Sequence, residues 1–214
     1  MFVKDRMSSN LVTTTESTPI VDAGEVMRKN GFARMPVVRD GKLVGIITRE
    51  DLLKVSPSAA TSLSVWELNY VLSKLTVKDA MTKEPVTIDS EATIEEAALL
   101  MRTRDIGALP VVDAGKLVGL ITESDIFDAF VDMMGLKDTG TRLVVDIEDR
   151  VGGIADLTEI IKEQGLNIIS LAIFHRRSEY AECVVRLEST QFEPLVQVLT
   201  AKGYRVLHVT SFNS

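Results

Sequence analysis

The chain repeats itself, and the repeat limits the fold more than any local propensity does. Val3-Lys4-Asp5-Arg6-Met7 returns as Val77-Lys78-Asp79-Ala80-Met81, an offset of 74 residues. The same offset carries Val12-Thr13 onto Val86-Thr87 and Met27-Arg28 onto Met101-Arg102. Pro36-Val37-Val38, the run from Gly41 to Gly45, Thr48 and Asp51 likewise reappear as Pro110-Val111-Val112, Gly115 to Gly119, Thr122 and Asp125, with no gap anywhere. A duplication of this kind makes each copy one supersecondary unit that buries its apolar face against the other.

Each copy reads as β-α-β-β-α. A short strand is expected near Val12 or Val86, then a helix over 19–30 or 94–104. Thr18-Pro19 suggests an N-cap with proline at the first helical position. Thr93 followed by Glu96 reads as a capping box. Two strands follow, 35–39 and 42–48 in the first copy. Asp40-Gly41 between them is a hairpin signal, since glycine accepts the positive φ of a tight turn. A helix then begins after Thr48 and after Thr122. One such copy has too little apolar surface for a core of its own, so pairing through the sheets is expected. The intervening residues 55–76 open with a loop-like Ser56-Pro57-Ser58. They continue with a second capping box, Ser64 to Glu67, and an apolar stripe of Trp66, Tyr70, Val71 and Leu75, read as core or dimer contact.

The runs Gly45-Ile46-Ile47-Thr48-Arg49-Glu50-Asp51 and Gly119-Leu120-Ile121-Thr122-Glu123-Ser124-Asp125, with Pro36 and Pro110 upstream, resemble the nucleotide-binding signature of CBS motifs. Two such motifs pair into a Bateman module with clefts for adenosine compounds. The resemblance therefore implies AMP, ADP, ATP or a related adenosine compound as ligand, no required cofactor, and a homodimer. It also implies that Val12, Thr13, Val86 and Thr87 offer backbone groups to an adenine edge. The residues suit that chemistry. Thr48 and Thr122 stand where a strand feeds a helix, whose free N–H groups receive an anion. Asp51 and Asp125, three residues on, can accept hydrogen bonds from a ribose diol. The same Thr-x-x-Asp spacing is also a helix-capping pattern. Arg34, a candidate phosphate contact or a solvated strand-edge residue, is matched by Ala108 in the second copy, so one good nucleotide site and one weaker cleft are expected.

Residues 141–214 follow another pattern. Strands are expected over 142–148, 167–175, 179–187 and 204–210. One helix carries Ile154, Leu157 and Ile161, and a second carries Phe192, Leu195, Val196 and Leu199. The order βαββαβ is ferredoxin-like. Asp149-Arg150-Val151-Gly152-Gly153-Ile154 and Gly165-Leu166-Asn167-Ile168 resemble ACT-domain loops, which implies an amino-acid ligand facing Gly153 and Asn167. Backbone punctuation by the glycine and a turn at the asparagine are the alternatives. Cys183 alternates with Ala181 and Val185 and reads as core. His175 and His208 show no second ligand at metal spacing and read as structural.

The fold class expected is thus α+β, a tandem CBS pair followed by an ACT domain. Motifs are placed at 1–54 and 77–134, the inter-motif segment at 55–76, a linker at 135–140 and the last domain at 141–214. The whole order resembles the AcuB family of acetoin-utilisation proteins. The formal charge of −7 gives no long-range attraction for nucleic acid. A single cysteine excludes an internal disulfide and suits a reducing compartment. No apolar run is long enough to span a bilayer, and no signal peptide is evident, so a cytoplasmic protein without membrane contact is expected. No nucleophile–base pair, metal cluster or Walker motif supports an enzyme. The readings carried forward are a non-catalytic ligand sensor, an assembly protein with vestigial clefts, and, behind both, a nucleotide-converting enzyme.

Overall fold

The computed structural model describes residues 1–55, 70, 73–175 and 179–212. The Ser56-Pro57-Ser58 loop, the capping box from Ser64 to Glu67, Trp66, Val71 and the 176–178 turn lie outside the described residues. Two compact units result, Met1–Ile126 and Phe127–Ser214.

In the first unit, helix α1 (Ile20–Asn30) leads into the hairpin β1 (Arg34–Arg39) and β2 (Lys42–Thr48), followed by α2 (Arg49–Val55). A short helix α3 (Val77–Ala80) and β3 (Thr82–Lys83) open the second copy. It continues through α4 (Ile94–Arg104), the hairpin β4 (Ala108–Asp113) and β5 (Lys116–Thr122), and α5 (Glu123–Met133). Asp40 and Gly41 have φ of 50° and 75°, and Ala114 and Gly115 have 48° and 77°. Two consecutive left-handed residues are what the tight hairpin turn requires. Each hairpin slips register between its two adjacent valines, Val37 and Val38 in the first and Val111 and Val112 in the second.

The strand expected near Val12 and Val86 is much shorter than the pattern suggests. It is reduced to one-residue parallel bridges, Thr14 with Val37 and Ile88 with Val111. The register slip lies at the same point and limits the ladder there. At α1 Pro19 takes the N-cap position itself, without a side-chain cap, so the expected Thr18 cap is not formed. The Thr93 box is formed: Thr93 N–H donates to Glu96 Oε2 at 2.7 Å and Glu96 N–H to Thr93 Oγ1 at 3.1 Å.

The copies exchange their opening segments. The 3-10 turn Val3–Asp5 hydrogen-bonds to the second copy, with Val3 N–H on Ala92 O, and Ser8 pairs with Leu120. Reciprocally, Val77 N–H donates to Thr18 O, and β3 pairs with β2 through Thr82 and Ile46. Val77 and Met81 thereby join the core of Ile20, Met27, Met35, Val37 and Ile47. A Cβ on Gly45 would lie 2.6 Å from Met81 Sδ, and one on Gly119 would lie 2.3 Å from Met7 Sδ. Glycine is needed at both places because the other copy's methionine fills the space. Ile46, Ala108 and Leu120, with Leu11 against them, close the junction between the copies.

The second unit holds β6 (Gly140–Glu148), α6 (Gly153–Glu163), β7 (Ile168–His175), β8 (Tyr180–Leu187), α7 (Glu193–Ala201) and β9 (Arg205–Phe212). The sheet is antiparallel in the order β7-β8-β6-β9, the ferredoxin-like arrangement. Leu143, Val145, Ile147, Leu157, Ile160, Ile161, Cys183, Leu195 and Leu199 fill the core between sheet and helices. Ile154 was expected on that face and is 42% exposed. Residues 134–140 pack onto this unit: Ser170 Oγ donates to Met134 O at 3.0 Å and the buried Arg186 Nη1 to Gly135 O at 2.9 Å. The Arg186 guanidinium also lies 4.5 Å from the centre of the Phe212 ring.

Candidate functional site

Each Thr-x-x-Asp motif lies where its hairpin ends and a helix begins, and each is a closed capping box. Thr48 donates to Asp51 Oδ2 from N–H at 3.0 Å and from Oγ1 at 2.8 Å, and Asp51 N–H returns to Thr48 Oγ1 at 3.2 Å. Thr122 and Asp125 repeat the set at 2.8, 2.7 and 3.4 Å. Asp51 is 8% exposed, and its other oxygen, Oδ1, stands 3.4 Å from Lys54 Nζ. The first motif therefore caps its helix with Asp51 Oδ2, while Asp51 Oδ1 is shared with the exposed Lys54.

Two clefts flank the junction, related by the same 74-residue offset, and each is completed by both copies. The first, about 490 Å³, is lined by Arg34, Ile46, Thr48, Glu50, Asp51 and Lys54 from one copy. Residues 82 and 84–86, together with 105–108, close it from the other copy. The second, about 340 Å³, combines Leu120, Thr122, Glu123 and Ser124 with residues 8, 10–12, 31–34 and 36, and with Gly107. Among the expected site residues, the first cleft gathers Arg34, Thr48, Asp51 and Val86, and the second gathers Val12, Arg34, Pro36 and Thr122. Thr13, Thr87, Pro110 and Asp125 line neither. Pro110 instead lends its carbonyl to Ile88 N–H, and Asp125 is occupied at Thr122.

Arg34 lines both clefts, at their common wall. Its Nη1 donates to Gly107 O, while its buried Nε has no hydrogen-bond partner. A Cβ on Gly107 would lie 3.3 Å from both terminal nitrogens of Arg34 and 3.1 Å from Glu123 Oε2. The carboxylates Glu50, Glu84, Asp105 and Glu123 also line the clefts, and sequence reasoning did not single them out. Asp105 sits in a left-handed helix cap and Glu84 in a left-handed turn residue. Alone, each reads as solvated punctuation. The available signal was their alignment with Gly31 and Asn10 of the first copy, positions flanking the motifs.

In the second unit Gly153 and Asn167 are not brought together. Gly153 opens α6, and a Cβ there would lie 2.7 Å from Glu148 O, which explains the glycine by close packing. It lines a pocket of about 200 Å³ with Asp146, Glu148, Arg150, Tyr180, Lys202, Gly203 and Tyr204. Asn167 Nδ2 donates to Glu188 Oε2 at 2.9 Å, away from that pocket. Asp146 Oδ2 is buried without a hydrogen bond, with Arg205 Nη1 3.4 Å away as an ion-pair partner. The Tyr204 hydroxyl is held above its ordinary range, first by burial and then by the Asp156 carboxylate. Cys183 is fully buried, and burial pushes its thiol up to about 11. His175 Nδ1 lies 3.1 Å from Asp149 Oδ2, a carboxylate that sequence distance concealed. Among the described residues no group of three His, Cys, Asp or Glu could hold a metal ion, and no helix is long and apolar enough to cross a membrane.

Comparison with known proteins adds the following. The CBS domain profile matches residues 3–58 and 77–132, and the TTHA0829-like ACT domain profile matches residues 139–210. A CBS domain-containing protein of Dictyostelium discoideum is 35% identical over 136 residues, 63% of this chain and 94% of that protein. An uncharacterized protein of Methanocaldococcus jannaschii is 32% identical over 136 residues, and the chain spans only 46% of its length. The match to an inosine-5'-monophosphate dehydrogenase of Korarchaeum cryptofilum, 34% identical over 64% of this chain, covers 26% of that enzyme. Among solved structures, CBSX2 in complex with AMP has a TM-score of 0.51 at 32% identity, covering 61% of this chain and 96% of that one. The CBS domain pair of protein MJ0100, in complex with 5'-methylthioadenosine and S-adenosyl-L-methionine, has 0.50 at 30%, covering 61% and 99%. A candidate acetoin utilization protein (AcuB) from Vibrio cholerae has 0.53 at 26%, covering 64% and 95%.

Proposed function

Because the chain belongs to the CBS-domain family, as a tandem pair followed by an ACT domain, we propose that it is a non-catalytic regulatory sensor of an adenosine compound. One observation carries the proposal: each cleft takes its walls from both copies, so a ligand held there bridges them. A ligand that prefers one placement of the copies shifts the population toward it. Asp51 Oδ1 is the acceptor for a ribose diol in the first cleft, and Thr122 lies at the helix start in the second. CBSX2 with AMP and the MJ0100 pair with 5'-methylthioadenosine and S-adenosyl-L-methionine support ligands of this class. The first cleft is lined by Glu50, Asp51, Glu84 and Asp105 against Arg34 and Lys54. That balance favours AMP or an uncharged or cationic adenosine over ATP. Calorimetry of the full chain with AMP, ATP, 5'-methylthioadenosine and S-adenosyl-L-methionine tests the reading. Binding of none of them would transfer the function to assembly, with vestigial clefts.

The ACT domain supplies a second input in this proposal, an amino acid at the pocket of Gly153. Asp146 and Glu148 can receive an ammonium, and Arg150 and Lys202 a carboxylate. Asn167 is left out of it. A homodimer completes the proposal. Leu53 and Leu99, 72% and 68% exposed, are candidate contacts for the second copy. Sedimentation at twice the chain mass is the expected result.

A further inference from the structure

The duplication gives the first cleft Thr48 and Asp51 and the second cleft Thr122, but among the described residues that line them Arg34 is the one arginine. Ala108 stands where a second would be. Arg34 lines both clefts, and Gly107, whose carbonyl holds Arg34 Nη1, lines both as well. Nη1 is committed to Gly107 and Nε is buried out of a ligand's reach, which leaves Nη2 as the nitrogen to meet an anion. A charge-assisted hydrogen bond from it to a phosphate is about twice as strong as a neutral one. One such donor on one cation serves one phosphate at a time.

We propose that Arg34 is a single anion clamp shared by the two clefts, so that a phosphorylated adenosine bound in one weakens binding of a phosphorylated adenosine in the other, whereas uncharged adenosines fill both independently. This deepens the nucleotide-sensor reading and rests on it. Glu123 sharpens the effect. Its Oε2 lies beside the same point of Gly107 as the guanidinium, in the second cleft, and repels a phosphate arriving without the clamp. The molecule would then report phosphorylation state: an uncharged adenosine gives a doubly filled pair, and AMP gives a half-filled one.

The test is calorimetry on the full chain with two probes, AMP and 5'-methylthioadenosine, for wild type, Arg34→Gln and Arg34→Ala. Glutamine keeps an amide donor for Gly107 O while removing the charge, which protects the fold. In wild type, 5'-methylthioadenosine is expected to fill the two clefts independently, and the two AMP steps to be separated by roughly tenfold to a hundredfold more than the 5'-methylthioadenosine steps, the span of a charge-assisted hydrogen bond. In both variants the tighter AMP step should weaken by that factor, and the AMP separation should fall to that of 5'-methylthioadenosine, the AMP loss exceeding any loss of 5'-methylthioadenosine affinity. An AMP separation no larger than that of 5'-methylthioadenosine in wild type, or an excess that survives both substitutions, overturns the shared clamp while leaving the sensor intact. Binding of neither probe by folded wild-type protein overturns the sensor reading, and the clamp with it.

Discussion

Thr48 and Asp51 form the helix cap, and both also line the first cleft. In the proposed sensor the pair would serve both uses that sequence presents as alternatives. Removing the carboxylate should therefore cost on both counts. Asp51→Ala and Asp125→Ala are each expected to lower stability by about 1 kcal/mol, the ordinary worth of a lost cap. Only Asp51→Ala should also weaken 5'-methylthioadenosine binding, because Asp125 lies outside the cleft lining. Paired denaturation and calorimetry separate these effects, and equal affinity loss in both variants would contradict the assignment. Gly140 gives a simpler case. A Cβ there would stand 2.0 Å from Leu187 O, a backbone atom with nowhere to go. Gly140→Ala should destabilise the second unit by at least ~1–3 kcal/mol in chemical denaturation. At this scale the motif residues were legible because the duplication sets them in register. Arg34 was legible as a candidate phosphate contact, but its place in the lining of both clefts was not, since the carbonyl that holds it belongs to Gly107 in the other copy, beyond the reach of any local pattern.

The helices and hairpins of the repeat came from short-range chemistry and were largely readable: left-handed turn residues at Asp40-Gly41, the Thr93–Glu96 box, the β-rich runs of β1 and β2. What escaped was which copy each opening segment serves. Val3-Lys4-Asp5 and Val77-Lys78-Asp79 are identical, so a sequence cannot distinguish docking at home from docking on the neighbour. The exchange predicts that Met81 stabilises the first copy's core. Met81→Ala should cost ~2–5 kcal/mol, the range for buried methionine truncation. A Gly45→Ala substitution added to it should be better tolerated than Gly45→Ala alone, because Met81 Sδ is the nearest atom to the new methyl. The α4 box makes a pH prediction. Backbone and hydroxyl donors from Thr93 hold the Glu96 carboxyl below the ordinary glutamate range. A depressed carboxylate stabilises the fold fully above its unfolded pKa, and that contribution disappears as pH falls through the lower, folded value. Thermal melts of Glu96→Gln should therefore lose less stability than wild type between pH 5 and pH 3, pH values set here as the conditions of the experiment. An identical acid slope would show that the cap contributes no linkage.

Over the whole molecule, the sequence announced two different architectures through a change of period: a 74-residue duplication, then strands and helices in βαββαβ order. It could not announce how polar groups are buried in the second. Asp146 and Arg186 fall on the strand face opposite the apolar one, which alternation marks as exposed, yet both are buried, with partners far along the chain, Arg205 for one and Gly135 with Phe212 for the other. The presence of separate cores, one built from the exchanged repeats and one around Leu143, Leu157 and Cys183, has a measurable consequence. A ligand that binds only folded protein stabilises the unit holding its site by an amount set by its concentration relative to Kd. An adenosine compound should thus delay unfolding of the first unit and leave the second unit's own opening unchanged. Cys183 reports the second independently. It is fully buried with its thiol raised to about 11 by that burial, so neither access nor thiolate is available to an alkylating reagent in the native state. Alkylation at pH 8, chosen as the assay condition, should follow unfolding of the ferredoxin-like core and proceed at the same rate with and without saturating 5'-methylthioadenosine. A strong slowing by that ligand would mean that the two units unfold as one cooperative body. The clefts and the Cys183 core would then share a single stability, and ligand occupancy would be transmitted to the ACT domain through global unfolding energy.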